Sequence, residues 1–305
     1  MEYQSILNSI EKEASYKESS GNVASYIPEL AKIDPNKFGM HLYCINSGHY
    51  GFGDQQERFS IQSISKVFSL TLAMSLLNDD ELFKRVDVEP SGDPFNSLVQ
   101  LEYENGIPRN PLINAGALVI ADILISTLDN PEEKFLNLIR TISDNSEINI
   151  NPKVFQSEKK FSHRNAALLN LMKSFGNIKN PIEAVLDLYT FQCAIEMSCK
   201  ELATAFMIYA NSGKTLFDDT QMISERKVKR INAIMQTCGF YDEAGEFSFR
   251  VGLPGKSGVG GGIAAIHPGQ YAVTTWSPRL NPKGNSELGM FALERLTTLT
   301  GFSIF

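Results

Sequence analysis

Cysteine is scarce: Cys44, Cys193, Cys199 and Cys238 are the only four in 305 residues, and no two form a C-x-x-C pair. That excludes a disulfide framework and a thiolate zinc site, and predicts reduced thiols in the core of a cytoplasmic protein. Histidine is equally sparse. His41, His49, His163 and His267 show no H-x-H or H-x-x-x-H spacing, so no metal is expected. A basic excess is absent too: 28 Lys plus Arg against 35 Asp plus Glu give a net charge of −7. Nucleic acid and anionic membrane surfaces, which bind mainly through Lys and Arg, are therefore not expected partners. No apolar run reaches the roughly 18 residues of a membrane span. The longest, Val67 to Leu77 and Ala115 to Leu128, fall short, and the second carries Asp122. The first ten residues put no basic side chain ahead of their apolar ones, and read as a short amphipathic helix rather than a secretory signal. Fixed-period repeats, low-complexity tracts and a Pro/Ser-rich linker are also missing.

What remains is an ordinary globular composition, 43% hydrophobic and 21% charged, sufficient for one large or two intimately packed domains. The β-formers of Phe38 to Ile45, the turn Asn46-Ser47-Gly48 and the segment Gly48 to Gly53 predict an early hairpin. From Ser63 to about Met235 the apolar residues recur three and four apart, as in Val67, Leu70, Ala73, Met74 and Leu77. That is helical spacing. Beyond Gly239 the alternation of Phe247 to Val251, then Gly260 to Ile266, a His267-Pro268-Gly269 turn and Tyr271 to Trp276 predict short strands. Ser286 to Leu299 reads as a closing helix. The expected fold class is α+β: a sheet built from the N- and C-terminal segments, with helices on its faces and an inserted helical lobe. The sheet lobe would span about 1–62 and 239–305 and the helical lobe about 63–238, within a single unit.

Ser63-Ile64-Ser65-Lys66 is an S-x-x-K sequence, the pairing used by serine acyl-transfer enzymes that lack a histidine base. Chance supplies about two such pairs in a chain with 28 Ser and 18 Lys, and four occur: Ser9/Lys12, Ser63/Lys66, Ser157/Lys160 and Ser224/Lys227. Placement separates the second from the rest, because it opens an apolar helix at a strand-to-helix junction. Three residues are almost one turn, so Lys66 shares a face with Ser63. Burial and the helix dipole would both push its amine toward the neutral form that accepts a proton. Lys256-Ser257-Gly258 is the only K-[ST]-G in the chain. It is expected to open a strand that flanks the nucleophile and offers it a backbone N–H, and the glycines of Val259-Gly260-Gly261-Gly262 would allow close approach to a ligand. A dinucleotide loop is rejected, since no strand precedes that run and no helix follows it. Ser143-Asp144-Asn145 matches the third β-lactamase element in letters but lies in the polar run 143–151, and is read as a turn.

In chain order, Tyr26-Ile-Pro-Glu-Leu-Ala31, Gln62-Ser63-Ile-Ser-Lys66, Asn114-Ala-Gly-Ala117, Phe155-Gln-Ser-Glu158, Arg164-Asn165, Asp187-Leu-Tyr189, Cys238-Gly-Phe-Tyr-Asp242 and Gly252-Leu-Pro-Gly-Lys-Ser-Gly-Val259 resemble the serine-dependent glutaminases of the β-lactamase and penicillin-binding protein-like fold. The resemblance runs from about Tyr26 to Pro278 and is to the bacterial type, without the ankyrin extensions of the animal enzymes. It implies Ser63 as nucleophile, Lys66 as its base and Tyr241 as a second hydroxyl beside Ser63. Tyr26 and Gln62 would border the substrate, Asn114, Glu158, Asn165 and Tyr189 would hold its amino-acid end, and the backbone of Val259 would contact the amide. Gly255 and Gly260 stand where alanine is common in the family, and His163 where an acidic residue is common.

The chemistry of these side chains agrees with that implication. A zwitterionic amino acid needs an anion for its ammonium, here Glu158, and neutral donors for its carboxylate, here the Asn and Tyr groups. The expected activity is hydrolysis of the L-glutamine side-chain amide to glutamate and ammonia, without a cofactor, in a homodimer or homotetramer. The alternatives are a penicillin-binding or β-lactamase-type hydrolase using the same Ser63 and Lys66, and a catalytically silent amino-acid-binding protein.

Overall fold

The computed structural model describes residues 2–91 and 98–305. Helix α1 (Tyr3–Ser15) turns Tyr3, Leu7, Ile10 and Ala14 inward, the spacing of a single apolar stripe. Strands β1 (Gly39–Cys44) and β2 (Gly48–Gly53) form the expected hairpin. The short β3 (Phe59–Ser60) and a 3-10 turn at Gln62–Ile64 lead into α2 (Ser65–Leu76). There follow α3 (Asp79–Leu82), α4 (Leu98–Tyr103), α5 (Asn114–Thr127), α6 (Pro131–Ile142), α7 (Pro152–Lys160), α8 (His163–Ser174) and α9 (Ile182–Cys193). The two-residue β4 (Glu196–Met197), α10 (Cys199–Ala210) and α11 (Glu225–Cys238) complete the helical middle. A second 3-10 turn at Tyr241–Glu243, α12 (Ala244–Arg250), β5 (Gly255–Ser257), β6 (Gly262–His267), β7 (Tyr271–Trp276) and α13 (Glu287–Thr300) close the chain.

The main sheet has the order β2-β1-β7-β6-β5, with every neighbouring pair antiparallel. Its centre is the pairing of N-terminal β1 with C-terminal β7, in which Leu42 faces Val273, so the sheet is assembled from the two ends of the chain. All six residues of β1 and of β7 are buried, because both faces are covered and the alternation of strand side chains divides them between two cores. Met40, Leu42, Ile263 and Val273 pack with Leu7 and Ile10 of α1 and Leu293 and Leu296 of α13. Tyr43, Ala264, Ile266 and Ala272 turn the other way and join Phe206 of α10 and the helical core. Helix α5 is apolar almost all round and correspondingly buried.

Two expectations are corrected. Phe247 to Val251 lies in and just past α12 rather than in a strand. Alternation over five residues is too short to separate the two periods: Phe247 stacks on Phe240 at 3.5 Å while Phe249 is 91% exposed. Lys256-Ser257-Gly258 ends β5 instead of opening a strand, and Val259 to Gly261 form the turn into β6. The histidines also meet where linear spacing showed nothing. The β1–β2 register brings His41 Nε2 to 2.9 Å from His49 Nδ1, yet no cluster of three metal-ligating side chains occurs among the described residues. Ser143-Asp144-Asn145 is a turn after α6, with Asn145 bonded to Glu201.

Candidate active site

Ser63 sits in the 3-10 turn that joins β3 to α2. The strand before it is pinned from outside: Phe59 pairs with Met197, Ile61 N–H donates to Ile195 O, and Ser60 Oγ donates to Cys193 O. The turn itself is strained, since Gln62 adopts φ +49°, a region that costs a non-glycine residue roughly 1–2 kcal/mol. Gln62 is held there by burial, by an Nε2 bond to Ser60 Oγ at 2.8 Å and by a side-chain bond with Glu158.

Lys66, in the first turn of α2, is fully enclosed. Its Nζ donates to Asn114 Oδ1 at 2.7 Å and to Leu112 O at 3.3 Å. Burial pushes its amine down to about 8, against the pull of nearby Cys193 and Glu158. Asn114 opens α5 and uses its amide on two neighbours, accepting from Lys66 and donating from Nδ2 to Asn165 Oδ1 at 3.0 Å. Its position is set by tight packing two residues on: a Cβ at Gly116 would fall 1.9 Å from Asn110 O, so only glycine lets the start of α5 lie against the preceding loop.

Glu158 closes α7 in a buried position, and burial raises its carboxyl to about 7, opposed by Gln62 and Lys66. Tyr189 of α9 is buried, with its ring 5.9 Å from Lys66 Nζ. Burial raises its hydroxyl well above the ordinary range, and the thiol of Cys193 is its hydrogen-bond neighbour. Tyr241 adopts φ +55° in its own 3-10 turn. Burial lifts its hydroxyl to about 12, against hydrogen bonds with the side chains of Ser63 and Ser257. The turn after β5 abuts the nucleophile segment: Cβ atoms at Gly258 and Gly260 would lie 2.6 Å from Ile61 O and 2.4 Å from Ser60 O. Glycine at 260 is therefore what this packing requires. Among the described residues, no backbone carbonyl takes up the N–H of Val259. Tyr26 is 58% exposed, and its hydroxyl lies within electrostatic reach of Glu158 and Tyr241. Its segment packs through Ala24, Ile27 and Leu30 on Tyr241 and Val259.

Ser63, Lys66, Gln62, Asn114, Glu158, Asn165, Tyr189, Tyr241, Tyr26 and Val259 thus lie in one connected neighbourhood. From the sequence Cys193 is a core thiol like the other three, and nothing in the linear order marks its place beside Tyr189 and Ser65. A groove of about 790 Å³, lined by Asp79, Phe83, Glu89, Arg230 and others of that region, contains none of these residues. Chemistry, not volume, marks the site: buried hydroxyls, a buried amine and a buried carboxyl within one set of contacts.

A sequence model of the glutaminase family matches residues 21–305. The glutaminase of Christiangramia forsetii is 61% identical over the full length of both chains, and that of Saccharophagus degradans is 56% identical over 100% of this chain and 99% of its own. Among solved structures, the probable glutaminase ybaS superposes with a TM-score of 0.94 at 30% identity, covering 99% of this chain and 97% of its own. Mglu in its glutamate form gives 0.93 at 29%, with coverage of 99% and 69%. The α+β fold is the serine β-lactamase-like one. The chain belongs to the glutaminase family.

Proposed function

We propose that this glutaminase opens the side-chain amide of L-glutamine through an acyl-enzyme on Ser63, in a cleft between a sheet lobe (about 1–62 and 239–305) and a helical lobe (about 63–238). The observation that carries the reading is the hydrogen bonding of Lys66. Its two acceptors, Asn114 Oδ1 and Leu112 O, use the two N–H bonds of a neutral amine and leave its lone pair for the Ser63 proton. Ser63 Oγ then attacks the amide carbon, and the tetrahedral oxyanion rests on the N–H groups of Ser63 and Val259. Losing one such donor costs roughly 100- to 1,000-fold in rate. The amide nitrogen leaves as ammonia, protonated by Lys66 or Tyr241, and water attacks the γ-glutamyl ester with Lys66 again as base. Glu158 receives the substrate ammonium, Asn114, Asn165 and Tyr189 its carboxylate, and Tyr26 and Gln62 border it. A relative's structure in its glutamate form agrees with a site that holds the product amino acid.

Ser63→Ala is expected to lose at least about a thousandfold in ammonia release from glutamine while keeping its circular dichroism spectrum. Release at the wild-type rate ends the acyl-enzyme scheme. The four thiols, all free and buried, support a reducing, cytoplasmic location. Exposed Phe249 and Phe305 support self-association as a homodimer or homotetramer, which a monomer mass in light scattering would overturn.

A further inference from the structure

Glu243 is a buried carboxylate with no part in the scheme above. It ends the 3-10 turn that begins at Tyr241. Both of its oxygens accept from Asn281 Nδ2, at 3.0 and 2.9 Å, and Oε2 also accepts from Asn285 Nδ2. Arg250 and Lys17 line the same small pocket but are engaged elsewhere: Arg250 pairs with Glu246 and Glu294, and Lys17 lies over the ring of Phe291. The Glu243 charge is therefore held by directional amide bonds, which fix both ends of the contact more closely than a loose ion pair would.

The partners of Glu243 belong to a tight loop that lies on the site. Asn281 Oδ1 accepts from the N–H groups of Lys283 and Asn285, both at 3.0 Å, and Gly284 N–H donates to Asn281 O at 2.9 Å. Gly284 turns at φ +86°, and its bare face lies toward two site residues: a Cβ there would stand 3.9 Å from Tyr241 Cε2 and 4.0 Å from Val259 Cγ1. From β5, buried Lys256 puts Nζ 4.3 Å from the centre of the Tyr241 ring. Just before the loop, Leu280 exchanges two backbone hydrogen bonds with Asn22, ahead of Tyr26. One carboxylate thus ties the Tyr241 turn to a loop that touches Tyr241 and Val259 and is paired to the Tyr26 segment.

We propose that Glu243 is a positioning residue: with Asn281 and Asn285 it locks the left-handed Tyr241 turn, and so sets where the Tyr241 hydroxyl stands beside Ser63. Tyr241 needs such a lock, because φ +55° is unfavourable for a residue with a Cβ and persists only where neighbours hold it. The proposal rests on the reading of Tyr241 as the second hydroxyl of the Ser63 site.

Glu243→Gln keeps the shape but turns one acceptor into a donor that faces amide donors. For glutamine, kcat should fall about ten- to a hundredfold while KM changes by less than about threefold. Added to Tyr241→Phe, the same substitution should lower kcat by less than about twofold further, since the residue it positions has already lost its hydroxyl. A full, additive loss on that background overturns the proposal and leaves Glu243 a residue of fold stability. A second readout does not depend on turnover. In protein labelled with 13C at tyrosine Cζ, the Tyr241 resonance, assigned by its loss in Tyr241→Phe, should shift in Glu243→Gln and in the milder Asn281→Ala, which removes two of the three amide bonds. An unmoved signal in either folded variant, or a moved one with wild-type kcat, overturns the proposal. A Ser63→Ala variant that still released ammonia would sink the acyl-enzyme reading separately, leaving the Tyr241 resonance to decide what Glu243 holds in place.

Discussion

Two aromatic or amide side chains at the site, Gln62 and Tyr241, sit in left-handed backbone where glycine would be at ease. Such strain persists only where neighbours over-determine it. Here the neighbours are Ser60 and Glu158 for Gln62, and the hydroxyls of Ser63 and Ser257 for Tyr241. Glu158 carries a consequence that can be measured. Burial raises its carboxyl to about 7, so below that pH the anion proposed to receive the substrate ammonium is lost. KM for glutamine should therefore rise as pH falls, by about tenfold per unit once well below 7, and Glu158→Gln should show a high, pH-independent KM. A wild-type KM that stays flat between about pH 5.5 and 8 would refute this role. At this scale the serine and its lysine were legible because a turn of helix brings Ser63 and Lys66 to one face. The acceptors of Lys66 were not, since Leu112 and Asn114 lie 46 and 48 residues away along the chain.

At the scale of the element, α5 shows how an apolar helix is held in register by one charge. Asp122 has no exposed surface, yet it accepts from Arg85 Nη2 at 2.5 Å, from the backbone N–H groups of Lys179 and Asn180, and from Asn180 Nδ2. Burial alone would raise its carboxyl, but Arg85 and Asn180 bring it below the ordinary value. Removing one partner of such a pair leaves an uncompensated buried charge, so Asp122→Ala should cost about 3–5 kcal/mol, read in chemical denaturation. Because the folded pKa is depressed, the carboxylate's contribution is complete above the unfolded value near 3.8 and disappears as pH falls through the lower folded value. The gap between wild type and variant should thus close only in strong acid. A variant as stable as wild type at pH 7 would contradict this. Helices of the middle region were legible from their spacing, which repeats over many turns. Helix α12 was not, because seven residues with Phe247 buried and Phe249 exposed imitate a strand until tertiary contacts decide the period.

The whole molecule is tied together where its ends meet. Pairing of β1 with β7 joins the N- and C-terminal segments, and α10 from the helical middle packs on β1, β6 and β7, so the helical core continues onto one face of the sheet. Trp276, the only tryptophan, is buried at this junction, stacked on Phe59 at 5.0 Å and donating Nε1–H to Gly260 O. Its fluorescence should therefore lose the native signal together with the helical ellipticity during thermal unfolding. Midpoints that differ between the two probes would mean that sheet and helices unfold separately.

The sequence by itself determined the helical middle, the terminal strands, the Ser63–Lys66 pair and the ordered segments that identify the family, because these depend on local periodicity and on residue identity. Tertiary structure decided what those residues are chemically. Whether Lys66 has two acceptors or three, whether Glu158 is solvated or enclosed, and whether Lys256 faces the cleft or the core depend on groups far apart in the chain. Desolvation and hydrogen bonding, which set those protonation states, exist only once the fold brings such groups together.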